Sequence, residues 1–142
     1  MLEIQKLGPF KEMTPTLDYI HIENKFGPHG EGAVQQQMQV ANTLSDDRRI
    51  LWVALAMTVN LTSASDNKKP LLESEIRAHV GYIFEQPLDK SILKDQDIID
   101  LFATPLYHRV SEMLLSNLRA MGFDVSLPLA KPPREIVRKV IP

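Results

Sequence analysis

Ile50 to Thr62 reads ILWVALAMTVNLT, and its apolar residues Leu51, Val53, Leu55, Met57, Val59 and Leu61 fall on every second position. A period of two places them all on one face of a β-strand. The other face carries Trp52, Ala54, Ala56, Thr58 and Asn60. That face is small and half apolar, so partial cover is expected on it too.

Working outward, Ala33 to Leu44 alternates Val34, Met38 and Val40 against glutamines, and Ser45-Asp46-Asp47 supplies turn chemistry between the two runs. On the far side, Ser63 to Lys69 holds Ser65-Asp66-Asn67, a loop of hairpin length and turn composition. Leu72, Ile76, Ala78, Val80, Tyr82 and Phe84 then share a face, opposite Glu73, Glu75, Arg77, His79 and Gly81. Three strands joined by polar turns make an antiparallel meander with one dry side and one wet side. Leu2, Ile4 and Leu7 predict a short first strand ended by Gly8-Pro9, and Thr14 to Gly32, with Pro15, Pro28 and three glycines, reads as a long loop.

Beyond Gln86-Pro87 the period changes to about 3.6. Ile92, Leu93, Ile98, Ile99 and Leu101 predict a short helix or two helical turns after Asp89. Thr104-Pro105 then reads as an N-cap and first helical residue, opening a helix from Pro105 to Met121 that Gly122 closes. Its stripe of Leu106, Val110, Met113, Leu114, Leu118 and Met121 must cover the sheet. Phe123 to Leu129 reads as extended, and Pro133 to Val140 as one or two amphipathic turns. The expected fold is α+β, a four-stranded antiparallel sheet with a long helix packed on one side, in a single domain over residues 1–142.

The 16 basic and 18 acidic residues give no positive field to gather phosphates, so no nucleic-acid partner is expected. Cysteine is absent, which removes disulfides and thiolate chemistry and fits a reducing compartment. Met1 to Phe10 lacks the pattern of an export signal, and the apolar stretch Ile50 to Val59 is too short to span a bilayer. The expectation is a cytoplasmic protein without membrane insertion.

Chemistry leaves little trace. His21, His29, His79 and His108 show no metal-ligand spacing, Gly27, Gly30 and Gly32 open no helix, and Ser63, Ser65 and Ser111 lack a nucleophile-elbow context. No catalytic residue, metal or cofactor is expected. What stands out is apolar surface outside the periodic elements: Tyr19, Ile20, Ile22 and Phe26 in the long loop, and Phe123, Val125 and Leu127 after the helix. Two readings stay open, plain core closure over the helix or a groove for extended peptide.

This order of elements resembles the SecB preprotein chaperones. The likeness is carried by Ile4-Gln5-Lys6, by the proline-bearing crossover with its aromatics, and by VQQQMQVANTLSDDRRILWVALAMTVNLT over residues 34–62. Gly81-Tyr82-Ile83-Phe84, the helix after Leu101-Phe102 and the exit through Gly122-Phe123 to Leu127-Pro128-Leu129 are similar to the later parts of that family. The resemblance implies a holdase for unfolded or unassembled polypeptides, serving protein export or one dedicated client. It implies no enzyme, and a homo-oligomer, dimer or tetramer. Trp52, Ala54, Ala56, Tyr107 and Leu115, apolar residues beyond what one sheet needs, are the expected interface. In the family, acidic side chains dock the SecA motor, but those positions fall near Lys11, Pro15 and Arg77, and the chain ends at Pro133 to Pro142 with Arg134, Arg138 and Lys139 in place of an acidic tail. The charge for a SecA-type partner is lost or reversed. A small hot-dog-like enzyme and a structural assembly protein remain the alternatives.

Overall fold

The computed structural model describes residues 7–25, 32–63, 70–123 and 136–140. The quoted run forms β4 (Ile50–Ser63), flanked by β3 (Gly32–Leu44) and β5 (Pro70–Phe84), each pairing with it antiparallel along nearly its whole length. Met57 sits between Met38 and Ile76, and Leu55 between Val40 and Ala78, so the dry residues of three strands stack in rows on one face. Every alternate residue of β4 from Leu51 to Leu61 is buried, none more than 5% exposed.

β1 (Phe10–Glu12) and β2 (Thr16–Asn24) both pair antiparallel with β5, one beside its C-terminal part and one beside its N-terminal part. They therefore share one edge position. The antiparallel strands β1 to β5 fill four positions, as the sequence predicts, but the edge is built differently. The expected first strand at Leu2–Leu7 lies outside the described residues apart from Leu7, and β1 follows Gly8-Pro9. The long loop expected from Thr14 to Gly32 contains β2. Thr, Tyr and Ile have high strand propensity, and pairing with β5 outweighs the nearby breakers.

A 3-10 turn (Lys90–Lys94) leads into α1 (Gln96–Ala120), one helix where two were expected. Asp95 is the N-cap, its carboxylate accepting from the Ile98 N–H at 3.2 Å. Thr104 is no cap: its hydroxyl donates to the Asp100 carbonyl at 2.7 Å, and Pro105 sits inside the helix. Such a proline costs about 3 kcal/mol. Burial of Ile98, Ile99 and Phe102 on the preceding turn contributes about 1.5–3 kcal/mol each, which outweighs it. Pro105 and Leu101 are exposed, so the carbonyl that the proline cannot reach lies on the solvent side. At the other end Gly122 takes φ 92°, its N–H donates to Arg119 O (3.0 Å) and that of Phe123 to Leu118 O (2.9 Å), a complete Schellman cap.

The helix covers the dry face, and Tyr82 ties the layers together by donating its hydroxyl to Phe102 O at 2.8 Å. β6 (Ile136–Val140) lies parallel to β3, opposite Met38 to Asn42. The sequence predicts helical turns there. A five-residue segment gains backbone partners more readily from an open strand edge than from an isolated helical turn, whose nucleation is unfavourable.

Candidate polypeptide-binding surfaces

The β1/β2 edge lies at the margin of the helix layer. Phe10 opposes Phe84, Leu17 opposes Ala78, Ile20 opposes Ile76 and Ile22 opposes Ser74, so all four look toward the helix side. Leu17 and Ile20 are three apart and share a face only because the register shifts between Leu17 and Tyr19, leaving Asp18 as the extra residue of a bulge. Phe10 and Leu17 remain 43% exposed and Ile20 38%, whereas Ile22 is half-buried and packs on the core. The row from Phe84 to Ile76 of β5 spans roughly 27 Å at about 3.4 Å per residue. It forms an apolar ledge with a wet side and a dry side. Phe10 is seated in it by ring contacts with Tyr82, Phe84 and Phe102 at 5.9, 5.2 and 5.3 Å. Phe10 and Leu17 escape a reading of the sequence because a bulge breaks the period of two and a three-residue strand has none to show.

On the opposite face of the sheet Tyr19 lies under the Arg77 guanidinium, 4.7 Å from the ring centroid. Arg77 grips both Glu75 oxygens at 3.0–3.2 Å. Lys25 bridges Glu23 (3.1 Å) and reaches Glu73 (4.0 Å). The hydrogen bond from Lys25 holds the Glu23 carboxyl below its usual range, and the same bond raises Lys25. These are solvated pairs, each worth little to stability. Asp18, placed by the bulge, meets His79 Nδ1 at 2.7 Å, and the His79 ring stands edge-on to Trp52 at 5.8 Å. A hollow of about 300 Å³ opens above Ala56 and Thr58, between the glutamines Gln37 and Gln39 and the carboxylate of Glu75.

Of the residues expected to line a client groove, Tyr19 and Ile20 are exposed, on opposite faces of β2, and Ile22 packs against the core. Phe123 is 7% exposed and belongs to the core, where the helix cap turns it inward. Phe26, Val125 and Leu127 lie outside the described residues. Of the expected interface residues, Tyr107 and Leu115 are buried between helix and sheet, at 0% and 5% exposure. They are not surplus on the surface, because the sheet beneath the helix is wide enough to take them. Trp52, Ala54 and Ala56 lie half-buried on the face of the sheet away from the helix. Trp52 has a seat within the chain: a Cβ on Gly81 would come within 2.8 Å of its ring and 2.6 Å of Met13 Sδ. Among the described residues no cluster of three or more His, Asp or Glu is placed to hold a metal ion, and no helix is long and apolar enough to cross a membrane.

No family model and no curated protein matches the chain. Among the solved structures similar to it are two. One is a protein of unknown function from Streptococcus agalactiae, with 10% identity, a TM-score of 0.47, and 84% of this chain and 98% of that chain covered. The other is a SecB-like chaperone of Mycobacterium tuberculosis in complex with a peptide from an antitoxin, with 9% identity, a TM-score of 0.62, and 91% of this chain and 99% of that one covered. With its elements in the same arrangement over nearly both whole chains, this protein has a SecB-like fold.

Proposed function

We infer that this chain is a chaperone of the SecB type, which holds unfolded or unassembled polypeptides on an apolar surface and performs no chemistry. The observation that supports the reading best is the ledge of Phe10, Leu17 and Ile20, exposed apolar side chains in line at the margin of a SecB-like fold. An unfolded chain offers apolar segments without fixed sequence, and a row of such side chains takes them with little selectivity. The similar mycobacterial protein is a chaperone seen with a bound peptide, which agrees with this reading. Ile22 continues the ledge on the same face, and Tyr19 is exposed on the other face of β2. A homo-oligomer, dimer or tetramer, belongs to the same proposal, with Trp52, Ala54 and Ala56 on the face that it would cover. So do a cytoplasmic site of action and a client in export or in one dedicated pair. Arg77 on the outer face and Lys11 on β1 argue against docking of a SecA-type motor.

The test is suppression of aggregation. An unfolded polypeptide diluted from urea should scatter less light with the protein present, and a Leu17→Ser, Ile20→Ser double variant should protect far less while keeping its melting temperature. A wild-type protein without effect on aggregation rules the reading out. Light scattering of the protein alone gives the oligomeric state.

A further inference from the structure

The backbone of β3 carries a second feature. Ser45 N–H donates to Ile50 O at 3.0 Å across the β3–β4 turn, and Phe84 N–H to Arg49 O at 2.7 Å on the other side of β4. This fixes the alternation of the ladder: odd-numbered residues of β3 bond to β4, and even-numbered ones turn their N–H and C=O outward. From Met38 to Asn42 those outward groups face β6. Before Met38, Gly32, Val34 and Gln36 turn theirs to a side where no strand lies among the described residues, and Val34 is 43% exposed. A longer β6 would set Pro133 and Pro132 opposite Gln35 and Val34, and proline has no N–H to give a ladder. The stretch Gly32 to Gln37 reads GAVQQQ and has no charge, no proline and no register shift. Those are the devices by which sheets keep foreign strands off their edges.

We propose that the Gly32–Gln37 edge of β3 pairs with an extended segment of the client polypeptide, which adds to the sheet as a further strand. This deepens the holdase reading and rests on it. The occupant follows from the size of the edge. Six residues reach about 20 Å, too little for the roughly 1,000 Å² that a specific dimer buries, but enough for a short, weak and sequence-tolerant contact. Backbone pairing asks only that the client segment be extended, free of proline at alternate positions and uncharged where it meets Val34. Client side chains on the helix side of the added strand then cover Val34, and those on the other side lie along Gln35 and Gln37.

Val34→Pro deletes one outward N–H and leaves every β3–β4 bond in place. Binding is measured by fluorescence anisotropy with labelled, reduced and carboxymethylated lactalbumin, which stays unfolded. A second measurement uses an uncharged eight-residue peptide and the same peptide N-methylated at alternate residues. Val34→Pro should bind the unfolded polypeptide about tenfold more weakly with its melting temperature within a few degrees of wild type, and the N-methylated peptide should bind wild type about tenfold more weakly than its parent. If Val34→Pro does not fold, the peptide pair on wild-type protein still decides. Equal binding of the two peptides, or a folded Val34→Pro protein that binds as wild type does, overturns the edge and leaves the holdase reading standing. Wild-type protein that binds neither polypeptide nor peptide overturns both.

Discussion

The two edges of the sheet differ in what they offer. At the β1/β2 edge the strand is broken at Met13 to Pro15, bulged at Asp18 and charged at Lys11, Glu12, Glu23 and Lys25. A foreign strand is poorly received there, yet Phe10, Leu17 and Ile20 stand exposed. At the Gly32–Gln37 edge of β3 the case is reversed, with unguarded backbone and, among the described side chains, one exposed apolar group, Val34. One edge offers side chains and the other main chain. A holdase needs both kinds of contact, because an unfolded polypeptide exposes apolar groups and unpaired amides together.

The two edges share one foundation. Tyr107 and Phe123 lie in the core between helix and sheet, so Tyr107→Ala or Phe123→Ser should cost about 3–5 kcal/mol in urea denaturation and abolish binding at both edges together. A Phe123→Ser protein that melts like wild type but has lost client binding would return Phe123 to a groove.

β3, β4 and β5 are readable in the sequence because each keeps its dry residues on alternate positions over a dozen or more residues. The helix is readable too, but the continuity of its N-terminal turns with the rest is hidden by Pro105, which local rules place at a helix start and which the burial of Ile98, Ile99 and Phe102 overrides. β2 is obscured by the bulge: Leu17 on one parity and Ile20 and Ile22 on the other look aperiodic until Asp18 is removed from the count. Tyr107 and Leu115 are readable as apolar, but the width of sheet that buries them is a tertiary property. The same holds for Phe123, whose inward turn depends on the Gly122 cap.

Two further effects act on the ledge side alone. Burial, and then the nearby Glu12 carboxylate, push the Tyr82 phenol up to about 12. Below pH about 10 the phenol is neutral in both folded and unfolded chains, and its contribution to stability is complete. Above that the unfolded chain ionises first, and roughly 2–3 kcal/mol is lost by pH about 12. Alkaline denaturation followed by circular dichroism should show this loss, and Tyr82→Phe should flatten it; an unchanged alkaline limb in Tyr82→Phe assigns the loss elsewhere. Gly81→Ala is the milder change. Its methyl group would press on Met13 and Trp52, and the Met13 N–H donates to Gly81 O at 2.8 Å, so the junction between β1 and β2 is disturbed. About 1–3 kcal/mol of stability should go, with a shift in Trp52 fluorescence, while peptide binding at β3 stays unchanged.

The smallest expected effect is the coupling between the edges. β5 and β4 separate β2 from β3, so the edges stand about 14 Å apart across the sheet at 4.7–4.9 Å per strand spacing. An eight-residue peptide docked on one edge has too few residues left to bind the other. For such a peptide a double-mutant cycle of Leu17→Ser and Val34→Pro should give a coupling within about 0.5 kcal/mol of zero. An unfolded protein can hold both edges at once, and its second contact is then intramolecular, favoured by a high effective concentration. Losing either edge removes that advantage, so the second loss costs less than the first and the coupling becomes non-zero. Equal coupling for the short peptide and the long chain would mean that clients use only one edge, and the single variants would say which.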